Sequence, residues 1–197
     1  MRSELTINQG RRPRSRAALA GAAVLLAGLC AQLAGAPAAG AEGCANADRP
    51  LGELNTDQLR SSVACLINAD RRARGLRALR GSSKLYSPSR YHNRDMQENL
   101  HRLTHRSSNG QSATERIHRY GYTSGARRWG VGEILGEGWG TATPQAIMTG
   151  WIRSDAHRRI IRKASFRHFG IASRHGISSD ASRPGALFTV DFGYRTG

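Results

Sequence analysis

The residues of this chain that are best suited to chemistry are its seven histidines, three cysteines and fourteen acidic residues. None of the histidines stands in a His-Glu-x-x-His helix, which would place two imidazoles on one helix face for zinc. Serine and threonine are numerous, yet none occupies the strained strand-to-helix turn that exposes a nucleophilic hydroxyl. The residue patterns alone therefore indicate neither a zinc-protease helix nor a serine nucleophile.

The amino-terminal residues have the order of an export signal. Arginines come first, an Ala-rich apolar run follows, and small residues end at Ala41, an order typical of a secretory signal peptide. We predict a signal peptide over 1–41 and a secreted, extracellular protein. The run is weakly apolar for a membrane span, and a lipoprotein anchor at Cys30 is disfavoured by Leu29, which stands where a small residue is usual. A twin-arginine signal at Arg11-Arg12 is a further alternative, so the export route stays open.

Cleavage after Ala41 removes Cys30 and leaves Cys44 and Cys65. An even number of cysteines in an exported chain predicts a disulfide; the alternative is two free thiols. A bridge closing about 20 residues stabilises a fold by about 3 kcal/mol in the loop-entropy description.

The charge of the chain is strongly positive, with 30 basic and 14 acidic residues. Without the five arginines and Glu4 of the predicted signal, 25 basic and 13 acidic residues remain, a net charge of about +12, and only Lys84 and Lys163 are lysines. Such a surface favours anionic membranes and cell-wall polymers, although a GC-rich genome also produces an excess of arginine and alanine. No aromatic residues interleave with a basic stripe, so we expect no specific nucleic-acid partner.

The remaining residues read as helices followed by strands. Helices are predicted from Asn55 to Gly75, from Ser83 to Leu103, from Ser112 to Gly121, from Thr143, and after a Ser154 cap, on the basis of capping residues and apolar spacing. A short strand running into a loop is predicted within Gly130–Gly140, and a hairpin within Phe169–Ser173 and Ala186–Tyr194. Helices around such a sheet define an α+β class. We divide the mature chain into a tail, 42–54, and one domain, 55–197.

Three tryptophans are candidates for an apolar groove. Trp151, on its helix, is expected in the core, whereas Trp139, in a Gly-rich loop, is the better surface candidate.

Five segments carry a resemblance to a known family. They are, in order, Leu66–Arg72 (LINADRR), Leu103–Ser107 (LTHRS), Gly130–Glu133 (GVGE), Trp151–Arg158 (WIRSDAHR) and Phe188–Gly193 (FTVDFG). Together these segments resemble the CAP superfamily of cysteine-rich secretory, allergen and pathogenesis-related proteins, in its bacterial secreted branch. The resemblance implies an α-β-α sandwich with a small, mainly antiparallel sheet between helical layers.

The resemblance also implies a cleft in which His105, His157 and Glu133 meet. Ser154 stands where many members have a second acid, and we expect Asp191, or alternatively Asp155, to take that place. Two histidines and a glutamate can hold zinc with one position left for water; calcium is another candidate cation. The other interpretation is a buried polar network that only fixes the fold.

Three functional hypotheses follow. The first is a secreted, non-enzymatic binding module for lipids such as sterols or for an anionic membrane or polymer. The second is a cation-dependent hydrolase or peptidase that uses His105, Glu133 and His157. The third is a structural, wall-associated protein that acts through charge alone. The oligomeric state is not indicated.

Overall fold

The computed structural model describes residues 43–197. The predicted signal peptide over 1–41 and Cys30 lie outside these residues. Within the described part, no helix is long and apolar enough to cross a membrane.

The described residues form five α-helices, most of them begun by capping residues. The helices are α1 Thr56–Arg72, α2 Ser83–Asp95, α3 Ala113–Arg119, α4 Pro144–Arg153 and α5 Asp155–Ile161. Asn55 and Ser112 close reciprocal capping boxes on α1 and α3, as predicted. Thr143 accepts a hydrogen bond from the Ala146 N–H and caps α4, whereas the side chain of Ser154 makes no capping bond on α5.

The predicted second helix is shorter than expected. After α2 the chain makes one π-helical turn, Met96–Leu100, and His101 then adopts a left-handed backbone conformation, φ 52°. This residue ends the helix before Leu103, which is 40% exposed and does not belong to the buried stripe.

Four strands form one sheet in the order β1-β3-β4-β2. They are β1 Arg80–Gly81, β2 Arg128–Trp139, β3 His168–His175 and β4 Gly185–Thr196. Strand β4 pairs antiparallel with both β3 and β2, while β1 runs parallel to β3. The predicted hairpin of β3 and β4 is confirmed. The prediction of a short strand running into a loop was wrong, because β2 continues through all of the Gly-rich segment and ends at Trp139.

Helices cover both faces of this sheet, which makes the fold an α-β-α sandwich. Along β4, Phe188, Val190 and Phe192 pack in one core with α1, α4 and α5. The alternate residue Leu187 packs with Met96 on the opposite face, since neighbouring side chains of a strand point to opposite sides. The predicted α+β class is therefore confirmed, with three helices on one face and α2 and α3 on the other.

Two glycines allow the helices to approach the sheet closely. A Cβ at Gly170 would lie 2.0 Å from the backbone carbonyl carbon of Leu85 in α2. A Cβ at Gly136 would lie 2.9 Å from the indole nitrogen of Trp151, which donates a hydrogen bond to the Leu135 carbonyl at 2.7 Å. Trp151 is buried, as expected for a core residue.

The segment before α1 is part of the folded domain. Ala47, Leu51 and Leu54 are buried in the same core as α1, so residues predicted as a tail pack against the domain. Cys44 is bonded to Cys65 with a Cα–Cα distance of 5.6 Å, and the predicted disulfide is confirmed. The bridge ties this segment to α1.

Candidate functional site

Glu133 lies at the centre of the candidate site. It follows Gly132 on β2 and points away from the core formed with α1, towards α2 and α3, and its side chain is only 2% exposed. One carboxylate oxygen accepts a hydrogen bond from His105 Nδ1 at 2.8 Å, and the other accepts one from Arg116 at 2.5 Å. Both oxygens are therefore engaged by partners within the protein.

Arg116 is a residue of the site that the sequence analysis did not identify. The capping box of α3 begins a seven-residue helix in which Arg116 and Ile117 are its buried members. Besides Glu133, the guanidinium donates to the backbone carbonyl of His105 at 2.9 Å and to Ser107 Oγ at 3.1 Å. It thus neutralises the buried carboxylate and also fixes the loop that carries His105.

Asp191 faces Glu133 directly across the β2–β4 pair and is fully buried. Its Oδ2 accepts a hydrogen bond from Ser89 of α2 at 2.8 Å, while its Oδ1 has no hydrogen-bond donor among the described residues. Burial, and then the negative charge of Glu133, raise the pKa of Asp191 well above its usual range. The raised pKa favours the protonated form of Asp191, which has a proton to donate to the carboxylate opposite.

Glu133 is the ionised member of the same pair. Burial acts to raise the pKa of Glu133, but the hydrogen bond from His105 and the charge of Arg116 outweigh it, and the pKa lies below its usual range. Two neighbouring carboxyl groups in one low-dielectric site titrate apart in this way because they cannot both be charged at low cost. We call Glu133, Asp191, Arg116 and His105 the carboxylate site.

His92 closes the buried side of the carboxylate site. It is fully buried on α2; its Nε2 lies 2.6 Å from the Thr104 carbonyl, and its Nδ1 lies 3.3 Å from Ser107 Oγ. These partners place the proton on Nε2 and let Ser107 donate to Nδ1. Burial lowers the pKa of His92, so this is a neutral core histidine whose hydrogen bonds are satisfied.

Of the two histidines named by the resemblance, His105 contacts Glu133, and its side chain is 59% exposed. His157 of α5 is half-buried. Burial, and then the charge of His105, lower the pKa of His157. Asp155, the alternative second acid, is exposed and pairs with Arg158, so of the two acids Asp191 is the one beside Glu133.

These residues do not fit a three-ligand metal centre. Among residues 43–197, no group of three or more His, Cys, Asp or Glu side chains is arranged to hold a metal ion. The physical reason is that both oxygens of Glu133 are already held by His105 and Arg116, and the raised pKa of buried Asp191 favours its protonated form. A metal ligand must be deprotonated and free to coordinate, and neither carboxyl group meets both conditions.

Trp129 and Trp139 stand ten residues apart on β2, about 33 Å along an extended strand, and Trp151 lies against Gly136. Trp139 is half-buried at the end of β2, where the guanidinium of Arg183 lies 5.4 Å from its ring centre. Trp129 is 41% exposed. The expectation of Trp139 in a loop was wrong because the strand continues to it.

The domain is thus an α-β-α sandwich in which a buried glutamate of the sheet is held by an exposed histidine and a buried arginine. Residues 65–192 match the family described as CAP, the cysteine-rich secretory protein family, and the chain belongs to this family. No curated protein matches the chain.

Solved bacterial structures share the fold. An outer surface protein from Borrelia burgdorferi is similar with a TM-score of 0.60 and 20% identity, over 73% of this chain and 97% of that one. An extracellular protein containing an SCP domain from Bacillus anthracis str. Ames is similar with a TM-score of 0.54 and 19% identity. That match covers 70% of this chain and only 40% of the Bacillus protein. At such identities the similarity shows the fold alone.

Proposed function

We propose that this chain is a secreted binding module, which attaches to anionic polymers or lipid headgroups at a cell surface and does not act as a hydrolase. The observation that carries the proposal is the internal pairing of Glu133, whose two oxygens are held by His105 and Arg116. A carboxylate that acts as a general base must reach a substrate or a water. Glu133 and Asp191 are both buried and do not meet this condition; the exposed group of the carboxylate site is His105, whose part in any hydrolysis the test below measures.

The charge of the domain supports binding to anionic partners. Residues 42–197 carry 25 basic and 13 acidic residues, and 23 of the basic ones are arginines. Arginine presents five donors in a planar fork that pairs with carboxylates and phosphates. A protein with this surplus is attracted to polyanions at low ionic strength.

The location of the protein outside the cytoplasm is supported by two observations. The Cys44–Cys65 disulfide is of the kind that persists in oxidising compartments. The Bacillus and Borrelia proteins that share the fold are described as extracellular and as an outer surface protein. The predicted signal peptide agrees with the same location.

Co-sedimentation tests the proposal. Residues 42–197 are mixed with vesicles containing anionic phospholipid, or with an insoluble acidic polysaccharide, at about 50 mM and about 500 mM salt. We expect retention at low salt, release at high salt, and the same behaviour for His105→Ala, because the carboxylate site takes no part. Absence of retention on both materials at low salt would refute a binding role. Peptide or ester hydrolysis that His105→Ala abolishes would instead establish the hydrolase.

A further inference from the structure

A second, separate feature of the domain is a groove at the edge of the sheet, between α2, the start of α1 and the end of β3. It has a cavity volume of about 660 Å³, within the usual range of about 300 to 1,000 Å³ for ligand sites. Arginines and tyrosines dominate its lining, namely Arg60, Arg90, Arg94 and Arg174 with Tyr86, Tyr91 and Tyr120. We call it the Arg–Tyr groove. It contains no residue of the carboxylate site.

The arginines of the groove exceed the acids that pair with them. Arg60 pairs with Asp57 at 2.8 Å, and Arg174 pairs with Glu98 at 2.8 Å. Arg94 lies only loosely against the same Glu98, at 3.8 Å. Arg90 is exposed and pairs with no acidic residue within 43–197.

Arg90 is therefore an unpaired cation of the groove among residues 43–197, and Arg94 is only weakly paired. They lie one helical turn apart on α2, about 6 Å along its axis, so they can meet successive anionic groups of one ligand. Charge-assisted hydrogen bonds from guanidinium groups are the strongest that a surface of this kind can offer.

The tyrosines supply ring faces and unused hydroxyls. The guanidinium of Arg60 lies 4.6 Å from the ring centre of Tyr86, and Tyr91 and Tyr120 have ring centres 6.4 Å apart. None of the three hydroxyls forms a hydrogen bond with another described residue. A tyrosine combines an apolar ring with a polar tip, which suits the C–H face and hydroxyls of a sugar ring.

The lining does not suit a lipid tail. Ala181 is the sole aliphatic side chain among the residues of the groove, so an acyl chain would find little aliphatic surface there, and the apolar surface is that of the tyrosine rings. A neighbouring cavity of about 500 Å³ shares Arg60 and Tyr86 with the groove. A cationic groove lined by polar side chains and tyrosine rings matches an anionic sugar polymer.

We propose that the Arg–Tyr groove binds a linear anionic polysaccharide, whose sugar rings lie against the tyrosines and whose acidic groups pair with Arg90 and Arg94. This inference rests on the proposed binding function and names the class of partner and the site. It also separates the binding surface from the carboxylate site.

The test measures affinity for an oligogalacturonate, a sugar oligomer with one carboxylate per ring. Three other probes of similar length are neutral dextran, polyglutamate and single-stranded DNA. The test variant is Arg90→Ala/Arg94→Ala, and the matched control is Arg153→Ala/Arg159→Ala, which removes the same charge from exposed positions on α4 and α5, across the sheet. Circular dichroism and the thermal midpoint establish that each variant is folded.

We expect the wild-type domain to bind oligogalacturonate more tightly than polyglutamate and not to bind dextran. The groove variant should bind about tenfold more weakly, from the loss of two exposed charge pairs, and the control variant within about twofold of wild type. Tyr91→Leu should weaken binding to oligogalacturonate but not to polyglutamate, because it removes the ring contact alone.

Each contrary result has its own meaning. An equal loss of affinity in the groove variant and the control variant would show that the Arg–Tyr groove is not the binding site. If polyglutamate or DNA bound as tightly as oligogalacturonate, the ligand would not be a polysaccharide in particular, but the proposed function as a binding module would still hold. If the wild-type domain bound no anionic probe and no anionic vesicle, the proposed function would fail as well.

Discussion

Replacing Asp191 with asparagine should make the domain more stable at neutral pH. The Asp191 carboxyl group is fully buried and faces ionised Glu133, and its pKa is raised by burial and by that charge. Asparagine has nearly the same shape as a protonated aspartic acid. Its carbonyl can accept from Ser89, and its amide can donate to Glu133 in place of the acid proton.

The magnitude follows from linkage. In the unfolded wild-type chain Asp191 ionises near the ordinary pKa of about 3.9, so a folded chain that keeps Asp191 protonated loses about 1.4 kcal/mol for each pH unit above that value, which sets a limit of about 4 kcal/mol at pH 7. The substituted asparagine cannot ionise and escapes this cost, but its second amide hydrogen is left without a partner, which costs about 1 kcal/mol. We expect a net gain of at most about 3 kcal/mol in the free energy of unfolding at pH 7.

The sign of the effect should change with pH. A raised folded pKa means that the contribution of Asp191 is fully present below its unfolded pKa and is lost as the pH rises through the folded value. Below about pH 3 both states are protonated, so only the unpaired amide hydrogen remains and Asp191→Asn should be slightly less stable than wild type. Urea unfolding followed by tryptophan fluorescence from pH 3 to 7 measures the difference in the free energy of unfolding between the variant and wild type at both ends of this pH range. A destabilised variant at pH 7, or a difference that does not vary with pH, would refute a protonated Asp191.

Three further perturbations have definite outcomes. Glu133→Gln should lower the free energy of unfolding by about 3 to 5 kcal/mol at pH 7, because it leaves Arg116 buried without a counterion. Since the folded pKa of Glu133 is lowered, this loss should shrink as the pH falls. A variant with the urea midpoint of wild type would contradict the buried ion pair. Gly170→Ala should lower the thermal midpoint strongly or prevent folding, since its Cβ would lie 2.0 Å from the α2 backbone, and wild-type stability would show that α2 does not pack so closely. Cys44→Ala/Cys65→Ala should cost about 3 kcal/mol for a bridge of this loop length, measured by urea unfolding, and a difference below about 1 kcal/mol would show that the unfolded chain is little constrained by it.

The features predictable from the sequence are those fixed by neighbours along the chain. The capping boxes at Asn55 and Ser112 need only residues three positions apart, and the β3–β4 hairpin needs only two apolar runs and a turn. The π-helical turn after α2 carries no such local signal. The length of β2 was not predicted for another reason. On the face of β2 that packs against Trp151, several positions are glycine, so the apolar pattern of the strand is interrupted where the packing is tightest.

The chemistry of the carboxylate site could be foreseen only in part. The resemblance named His105 and Glu133, which are indeed in contact, but the nature of the site depends on Arg116, 17 positions from Glu133 and on a different element. Nothing in the local sequence pairs this arginine with that glutamate. Likewise, the pKa of Asp191 depends on the register between β2 and β4, which the order of residues along the chain does not show.

Charged groups are paired in the buried carboxylate site but partly unpaired in the exposed Arg–Tyr groove, and this difference indicates where a ligand binds. In the carboxylate site, the negative charge of Glu133 is balanced by Arg116, and the pKa shifts of Asp191 and His92 favour their neutral forms. Both oxygens of Glu133 are engaged, and of the buried side-chain polar atoms of the site only Arg116 Nε and Asp191 Oδ1 are without a partner among the described residues. Such a network stabilises its own geometry and gains little from an added ion. In the Arg–Tyr groove, by contrast, Arg90 and the hydroxyls of three tyrosines have no partner within residues 43–197. Binding free energy comes from groups that are not already paired, and this domain holds them at the edge of its sheet.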